Sequence, residues 1–208
     1  MSFIRDWTAK DRRVAIWSAL GTFFFGVLYA PTLVAAFVSA GNVKDPFLGV
    51  LEVQIILMAP LMVVTMVAVH GYTPRGAGMY SLSALGFMIP CADVTTGVHF
   101  VELTVARRIY PESIPGYSRI SSWEWPSILY ALDILAWDWF FGLSMLLAVP
   151  VFSGGGKLHT AVRACLILSG TGGASRVAPL GPLFGVFVCG VAFPSRVTSK
   201  FLTARVSM

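Results

Sequence analysis

The fold is decided by a hydrophobic stretch at residues 47–69, which reads FLGVLEVQIILMAPLMVVTMVAV. A single charged residue, Glu52, interrupts this stretch. A helix that crosses the hydrocarbon core of a bilayer needs about 20 consecutive, mainly apolar residues. Residues 47–69 are therefore predicted to form a transmembrane helix, and the same criterion can be applied outward along the chain in both directions.

Six stretches meet this criterion, and they lie at residues 14–38, 47–69, 79–105, 125–151, 159–175 and 177–194. They predict an all-α, polytopic membrane helix bundle with one transmembrane domain, residues 1–194. An alternative for the last two, shorter stretches is a re-entrant hairpin, which leaves five spans. Residues 195–208 form a basic tail that either lies along the membrane surface or is solvated.

The composition of the chain agrees with a membrane location. Of the 208 residues, 56% are hydrophobic and only 12% are charged, whereas soluble domains carry about 25% charged residues. This excludes a disordered chain, a nucleic-acid-binding domain and an ordinary cytosolic enzyme. The three cysteines lie in apolar runs without Cys-x-x-Cys spacing, so we expect them to be packing residues rather than disulfide or zinc ligands.

The distribution of basic residues predicts the orientation of the bundle. Ten of the 15 Lys and Arg residues fall on the side of both chain termini, and the other side holds Lys44, Arg107, Arg108, Arg119 and Arg176. Because cytoplasmic loops carry the excess of Lys and Arg, both termini are predicted to be cytoplasmic. The membrane is expected to be the endoplasmic reticulum in a eukaryote, or the inner membrane in a bacterium.

Ionisable side chains inside the apolar spans are the clearest indication of function. A charge at the centre of a membrane helix costs about 2.5–3.5 kcal/mol even on the mildest scale, so such residues are expected to face a polar interior. They are candidate catalytic residues, and six lie within spans: Glu52, Asp93, His99, Glu102, Asp133 and Asp138.

Helical geometry places four of these side chains at a similar depth. With a rise of about 1.5 Å per residue, Glu52, His99, Glu102 and Asp133 fall within the outer half of the membrane, on three different helices. Asp93 and Asp138 lie nearer the midplane. We therefore expect one polar cluster built from the second, third and fourth helices.

Residue spacing predicts which of these side chains share a helix face. Thr95, His99 and Glu102 follow i, i+4, i+7 spacing and lie on one stripe of the third helix, and Asp93 lies on the opposite face. A helix that is polar on two faces is expected at the centre of the bundle. On the fourth helix, Asp138 is expected about 140° away from Asp133 if the helix is a regular α-helix.

Each of these residues also has a less specific interpretation. Asp93 and Asp138 can cross-link helices through hydrogen bonds, and Glu52 can extend to the membrane surface. His99 and Glu102, joined by Glu52 and Asp133, would make a carboxylate-rich metal site, but no metal is expected. The long connection at residues 107–122 lies over the cluster and is either a lid or a plain linker.

Three segments of the chain resemble a set of uncharacterised small multi-pass membrane proteins. They are HFVELTV at residues 99–105, YALDILAWDWFFGLS at residues 130–144 and AVPVFS at residues 148–153. This resemblance implies a six-helix bundle. In general character the chain is also similar to the membrane-embedded terpene cyclases of fungal meroterpenoid pathways, which implies an enzyme that uses carboxylic acids in the membrane as proton donors.

The main functional hypothesis is an enzyme that isomerises or cyclises a terpenoid, epoxide or sterol-like substrate without a cofactor. A carboxyl group desolvated in the membrane tends to keep its proton and can act as a general acid. Asp133 or Glu102 would donate the proton, and His99 would orient the donor or accept a proton later. Aromatic rings would stabilise a carbocation, and the predicted substrate-binding residues are Thr95, Tyr130, Trp137, Trp139, Phe140 and Phe141.

Two alternatives use the same residues differently. A proton-coupled carrier would use the acids as a relay, and an accessory, pigment-binding subunit would use His99 as an axial ligand. The expected partners are a lipophilic small molecule and the bilayer, with a homo-oligomer or a larger membrane complex as further alternatives and no nucleic acid.

Overall fold

The structure is a computed structural model, and it describes residues 8–40, 45–108, 114–123 and 125–172. The described residues form helices and the links between them, with no strand among them. The helices are α1 (Ala9–Ala40), α2 (Phe47–Tyr72), α3 (Gly78–Thr104), the short α4 (Tyr117–Ile120), α5 (Ile128–Ile134), α6 (Gly142–Ala148) and α7 (Lys157–Gly172). A π-helical segment (Leu135–Phe141) joins α5 to α6.

Four helices are long and apolar enough to cross a membrane. They cover Ala9–Ser39, Phe47–Tyr72, Gly78–Arg108 and Ile128–Phe152. The last of these comprises α5, the π-helical segment, α6 and a final 3-10 turn. We call it the fourth helix, and it is distinct from the short α4. The chain is therefore an all-α protein with the character of a membrane-embedded bundle, and the first four predicted spans are confirmed as helices.

The remaining predicted spans lie at the end of the described chain. The fifth, at residues 159–175, overlaps α7, which has 16 residues. The sixth, at residues 177–194, and the tail at residues 195–208 lie outside the described residues. The orientation of the bundle stays a prediction.

α3 occupies the centre of the described bundle. It packs against α2 on one side and against the fourth helix on the other, while α1 packs against α2. The buried side chains between these helices are mainly methionine and alanine, among them Met66, Met88 and Met145, each at most 2% exposed. Because methionine is unbranched and flexible, it can fill irregular spaces between helices.

The fourth helix and α7 approach each other at two glycines. A Cβ atom on Gly142 would lie 2.9 Å from the backbone oxygen of Gly170. Small residues at such a crossing let two membrane helices pack backbone to backbone. Beside it, the buried Ser144 hydroxyl donates a hydrogen bond to the Ala84 carbonyl of α3 at 2.7 Å. The fourth helix is thus fixed on two sides.

The π-helical segment corrects the predicted arrangement of the fourth helix. In a π-helix the backbone hydrogen bonds join residues five apart instead of four apart. Asp138 follows Asp133 by five residues, so the segment turns Asp138 back toward the Asp133 side, and the separation of about 140° expected for a regular α-helix does not apply. The charge of Asp133 accordingly acts on Asp138.

Candidate functional site

Three of the four long apolar helices each contribute one ionisable side chain to a single buried cluster. Glu52 comes from α2, His99 from α3 and Asp133 from α5. Each lies five residues from the end of its helix, which is about 8 Å along the axis. The three helix ends lie on the same side of the bundle, because α2 and the fourth helix begin at the end of the bundle at which α3 ends. We call this cluster the Glu–His–Asp triad.

The His99 imidazole lies between the two carboxylates. Its Nδ1 atom is 2.5 Å from Glu52 Oε2, and its Nε2 atom is 3.4 Å from Asp133 Oδ1. The first contact is a short hydrogen bond. The second is close enough for an ion pair but lacks hydrogen-bond geometry, since neither atom has a hydrogen-bond partner. The ring is thus held firmly on the Glu52 side and loosely on the Asp133 side.

Burial differs among the three members of the triad. The side chains of Glu52 and His99 are 3% and 5% exposed, whereas that of Asp133 is 21% exposed. Burying ionisable groups is costly unless they are paired. The two least exposed groups, Glu52 and His99, are paired with each other. Asp133 is the member that a molecule outside the triad can reach.

The segment at residues 114–123 covers the triad. The Trp123 indole stacks on the His99 ring, with ring centroids 5.5 Å apart and planes 24° apart. The Ser121 hydroxyl donates to Glu102 Oε2 at 3.4 Å, and the Tyr117 hydroxyl donates to the Ala106 carbonyl at 2.8 Å. The second half of the connection at residues 107–122 is therefore in contact with the site.

Glu102 lies beside the triad rather than within it. It is 8% exposed, and its charge interacts with those of Glu52 and His99. Nearby, the Arg107 guanidinium pairs with both carboxylate oxygens of Asp45, at 2.5 and 3.0 Å. This ion pair joins the start of α2 to the end of α3, next to the triad.

Two side chains involved in the packing of α1 carry no obvious signal in the sequence. Tyr29, on α1, is close enough to Glu52 and Asp133 for both charges to act on its hydroxyl group. Gln54 is 5% exposed, and its amide nitrogen donates to the Thr32 hydroxyl of α1 at 3.2 Å. A tyrosine and a glutamine inside long apolar stretches do not show from sequence alone which neighbour they face.

Two of the predicted site residues lie away from the cluster. Asp93 is on the exposed face of α3, and the Trp139 ring is 63% exposed. Thr95, which is 1% exposed, lies one turn before His99 on the same face of α3. Tyr130 is half-buried on the same helix as Asp133.

The remaining predicted aromatic residues lie further along the fourth helix. Phe141 is 2% exposed and belongs to the core. Its ring lies 5.4 Å from that of Trp137, and Trp137 and Phe140 are partly buried against the same core. These three rings begin one turn beyond Asp133 in the sequence and pack in the hydrophobic core.

Within the described ranges, no group of three or more His, Cys, Asp and Glu side chains is arranged to hold a metal ion. The geometry gives the reason at the triad, because both ring nitrogens of His99 already face a carboxylate.

Comparison of the chain with protein-family models, with curated proteins and with solved structures finds no match.

Proposed function

We propose that the protein is an integral membrane enzyme that isomerises or cyclises a lipophilic substrate by acid–base chemistry. The observation that carries this proposal is the His99 ring held between two carboxylates of different exposure, inside an apolar bundle. The substrate class is a terpenoid, an epoxide or a sterol-like lipid that enters from the bilayer. The membrane is the endoplasmic reticulum in a eukaryote or the inner membrane in a bacterium, with both termini in the cytoplasm.

The proposed reaction begins and ends at Asp133. In its acid form, Asp133 donates a proton to a double bond or an epoxide oxygen of the substrate, which leaves a carbocation. The cation rearranges or closes a ring, and a neighbouring carbon then loses a proton to the Asp133 carboxylate. The proton count is unchanged, so the product is an isomer of the substrate and the enzyme returns to its starting state.

Glu52 and His99 support this proton transfer. The short Glu52 contact fixes the orientation of the His99 ring, so that its other nitrogen faces Asp133 throughout the reaction. When Asp133 is ionised, a protonated His99 stabilises its charge, and Glu52 stabilises the imidazolium in turn. The rings that would stabilise a carbocation through their faces are Tyr130, which lies on the same helix as Asp133, and Trp123, which stacks on His99.

The test uses purified protein in lipid nanodiscs, in deuterium oxide, with squalene epoxide and lanosterol as probes. The wild type is expected to form a product of the same elemental composition with a different retention time in liquid chromatography–mass spectrometry. Protonation of a sterol double bond would add one deuterium at carbon. Absence of any isomeric product from the wild type with either probe would contradict the proposal.

A conversion that depends on the triad must also respond to its variants. Asp133→Asn is expected to lower the rate by about 100-fold or more, as loss of a general acid does. The matched control is Asp93→Asn, which removes a membrane carboxyl on the exposed face of α3 and is expected to retain activity. Equal rates for wild type and Asp133→Asn would exclude Asp133 as the proton donor.

A proton-coupled carrier is the second candidate, and one observation favours it. The His99 ring connects two carboxyl groups in a line across three helices, since its nitrogens lie 2.5 Å from Glu52 Oε2 and 3.4 Å from Asp133 Oδ1. Such a line is what a proton relay requires. Proton flux in proteoliposomes that a lipophilic probe accelerates, without chemical change of the probe, would favour the carrier over the enzyme.

A further inference from the structure

Buried polar atoms without a hydrogen-bond partner are concentrated at the triad. Among the described residues, five buried side-chain atoms have none, and they are Gln54 Oε1, Thr95 Oγ1, His99 Nε2, Trp123 Nε1 and Asp133 Oδ1. In folded proteins the large majority of buried polar atoms are hydrogen-bonded, because leaving one unpaired is costly. A group of such atoms in one place therefore indicates that they bind something.

Four of the five atoms are grouped at the His99 ring, one of them belonging to the ring itself. Asp133 Oδ1 is 3.4 Å from His99 Nε2, the Trp123 ring stacks on the imidazole, and Thr95 precedes His99 by one helical turn on the same face. Gln54 stands apart because its amide group is engaged with α1. The four atoms come from α3, α5 and the segment at residues 114–123.

The chemistry of these four atoms specifies the group they would bind. The Trp123 N–H can only donate a hydrogen bond, and the Thr95 hydroxyl can donate or accept. Asp133 can donate in its acid form and can only accept when it is ionised. An oxygen atom of a ligand can accept from Trp123 and Thr95 at the same time. If that oxygen belongs to a hydroxyl group, it can also donate to Asp133.

The charges around the triad exclude an anionic headgroup. Glu52, Asp133 and the neighbouring Glu102 are acidic, and the nearby Arg107 is already paired with Asp45. A phosphate or diphosphate would face three carboxyl groups with only His99 to balance it, which is unfavourable in a medium of low dielectric constant.

We infer that the triad recognises a lipid through a single uncharged oxygen atom held by Trp123 and Thr95. The ligand class is an oxygenated lipid such as a prenyl alcohol, epoxide or sterol, in preference to a hydrocarbon or a prenyl diphosphate. This inference rests on the proposed function for its setting and narrows the substrate class. It concerns binding, however, and can be tested without turnover.

The test measures displacement of tritiated farnesol from the protein in nanodiscs by four probes at equal mole fraction in the lipid. The probes are farnesol, its methyl ether, farnesene and farnesyl diphosphate. Farnesol is expected to displace the label at about 25- to 100-fold lower concentration than farnesene, the worth of two hydrogen bonds. Farnesene or farnesyl diphosphate competing as well as farnesol would overturn the inference.

The methyl ether distinguishes the two hydrogen-bonding modes of the oxygen. An ether or epoxide oxygen only accepts, so equal competition by farnesol and its ether means that Trp123 and Thr95 provide the recognition. Weaker competition by the ether means that Asp133 also accepts from the hydroxyl. Both results support an oxygenated ligand and assign the contacts.

Two nearly isosteric substitutions test the assigned residues. Trp123→Phe and Thr95→Val each remove a donor with little change of shape, and each is expected to lower the preference for farnesol over farnesene by about 5- to 10-fold. The matched control is Trp17→Phe, because Trp17 on α1 is 70% exposed, and it should leave the preference unchanged. An unaltered preference in both site variants would contradict the assignment.

The thermal midpoint without ligand separates a binding role from a structural one. The Thr95 hydroxyl has no well-formed hydrogen bond in the protein, and its neighbour, the Cys91 thiol, is only a weak hydrogen-bonding group. Thr95→Val should therefore unfold at the same or a higher temperature than the wild type. A lower midpoint would mean that the hydroxyl serves the fold.

The outcomes of this inference and of the proposed enzyme are distinguishable. A preference for farnesol with no isomeric product from any probe would support the binding site for an uncharged oxygen and contradict the proposed enzyme activity. Isomerisation of a probe without any preference for farnesol over farnesene would support the enzyme activity and contradict the oxygen-binding site.

Discussion

His99 links three helices, because its ring contacts Glu52 of α2 and Asp133 of α5. Replacing it with leucine leaves Glu52, whose side chain is 3% exposed, as a buried group without its partner. Removing one partner of a buried pair costs about 3–5 kcal/mol. We therefore predict that His99→Leu lowers the unfolding free energy by about this amount, measured by denaturant titration in detergent micelles.

The double variant His99→Leu/Glu52→Leu is the control for this prediction. Since it removes both members of the pair, it should recover a large part of the lost stability. If the double variant were as unstable as the sum of the two single variants, the contact between Glu52 and His99 would not be an energetic pair.

Gly49 supports the ion pair beside the triad. A Cβ atom at this position would lie 2.5 Å from the Arg107 guanidinium, so Gly49→Ala must displace that side chain from Asp45. The pair is partly exposed, and such pairs contribute only about 0–1 kcal/mol. We predict a loss of stability below about 1 kcal/mol, together with faster proteolysis near residue 107. Unchanged proteolysis would show that the ion pair between Arg107 and Asp45 does not protect the chain near residue 107 from cleavage.

At the scale of residues, the sequence predicted which groups were chemically informative but not all of their neighbours. Glu52, His99 and Asp133 could be grouped because depth along a helix follows from residue number. The stacking of Trp123 on His99 does not follow from the sequence, because the path of a loop depends on contacts that have no periodicity. Asp93 faces outward in the described bundle, and helix spacing alone does not tell which face meets a neighbouring helix.

Among the elements, the fourth helix depends most on close packing. A Cβ atom on Gly142 would meet the Gly170 backbone oxygen at 2.9 Å, and a backbone atom cannot move aside as a flexible side chain can. Gly142→Ala is therefore predicted to lower stability by about 1–3 kcal/mol, as overpacking does, measured by the thermal midpoint in detergent.

Gly86 on α3 is the matched control, because a Cβ atom there has nothing within 4 Å. Alanine is favoured over glycine inside a helix by about 1 kcal/mol, so Gly86→Ala should be neutral or stabilising. Equal losses for Gly142→Ala and Gly86→Ala would mean that the crossing with α7 does not require glycine.

The π-helical segment is the element that the sequence did not predict. Residues 135–141 contain only ordinary helix-compatible side chains, and a helical pattern read from the sequence assumes α-helical spacing throughout. The extra residue in the turn changes which side chains share a face after Asp133. Such segments are common at functional sites, and this one lies directly after the exposed member of the triad.

For the whole molecule, hydropathy predicted the class and the first four long helices, because a bilayer requires long apolar helices. The position of α3 at the centre of the described bundle was also predicted. That prediction assumed two buried polar faces on α3, and the face that carries Asp93 is exposed. The oligomeric state and the substrate do not follow from hydropathy, since neither changes the length or polarity of a span.

Orientation is a prediction about the whole molecule, and cysteine labelling in sealed vesicles measures it. In a background without the native cysteines, Gly76→Cys lies in the link between α2 and α3, and Ser118→Cys lies in the segment over the triad. The excess of basic residues predicts that an impermeant thiol reagent labels Gly76→Cys from the cytoplasmic side and Ser118→Cys from the opposite side. Labelling of both from one side would contradict the arrangement of α3 as a span.

The central claim is that Glu52, His99 and Asp133 act as one acid–base unit, and a double-variant rate measurement tests it most directly. Isomer formation in nanodiscs is compared among wild type, Asp133→Asn, Glu52→Gln and the double variant. Residues that act as a unit are strongly non-additive, so the double variant should be no slower than Asp133→Asn alone. Effects that multiply, or a double variant that keeps the wild-type rate, would contradict the claim.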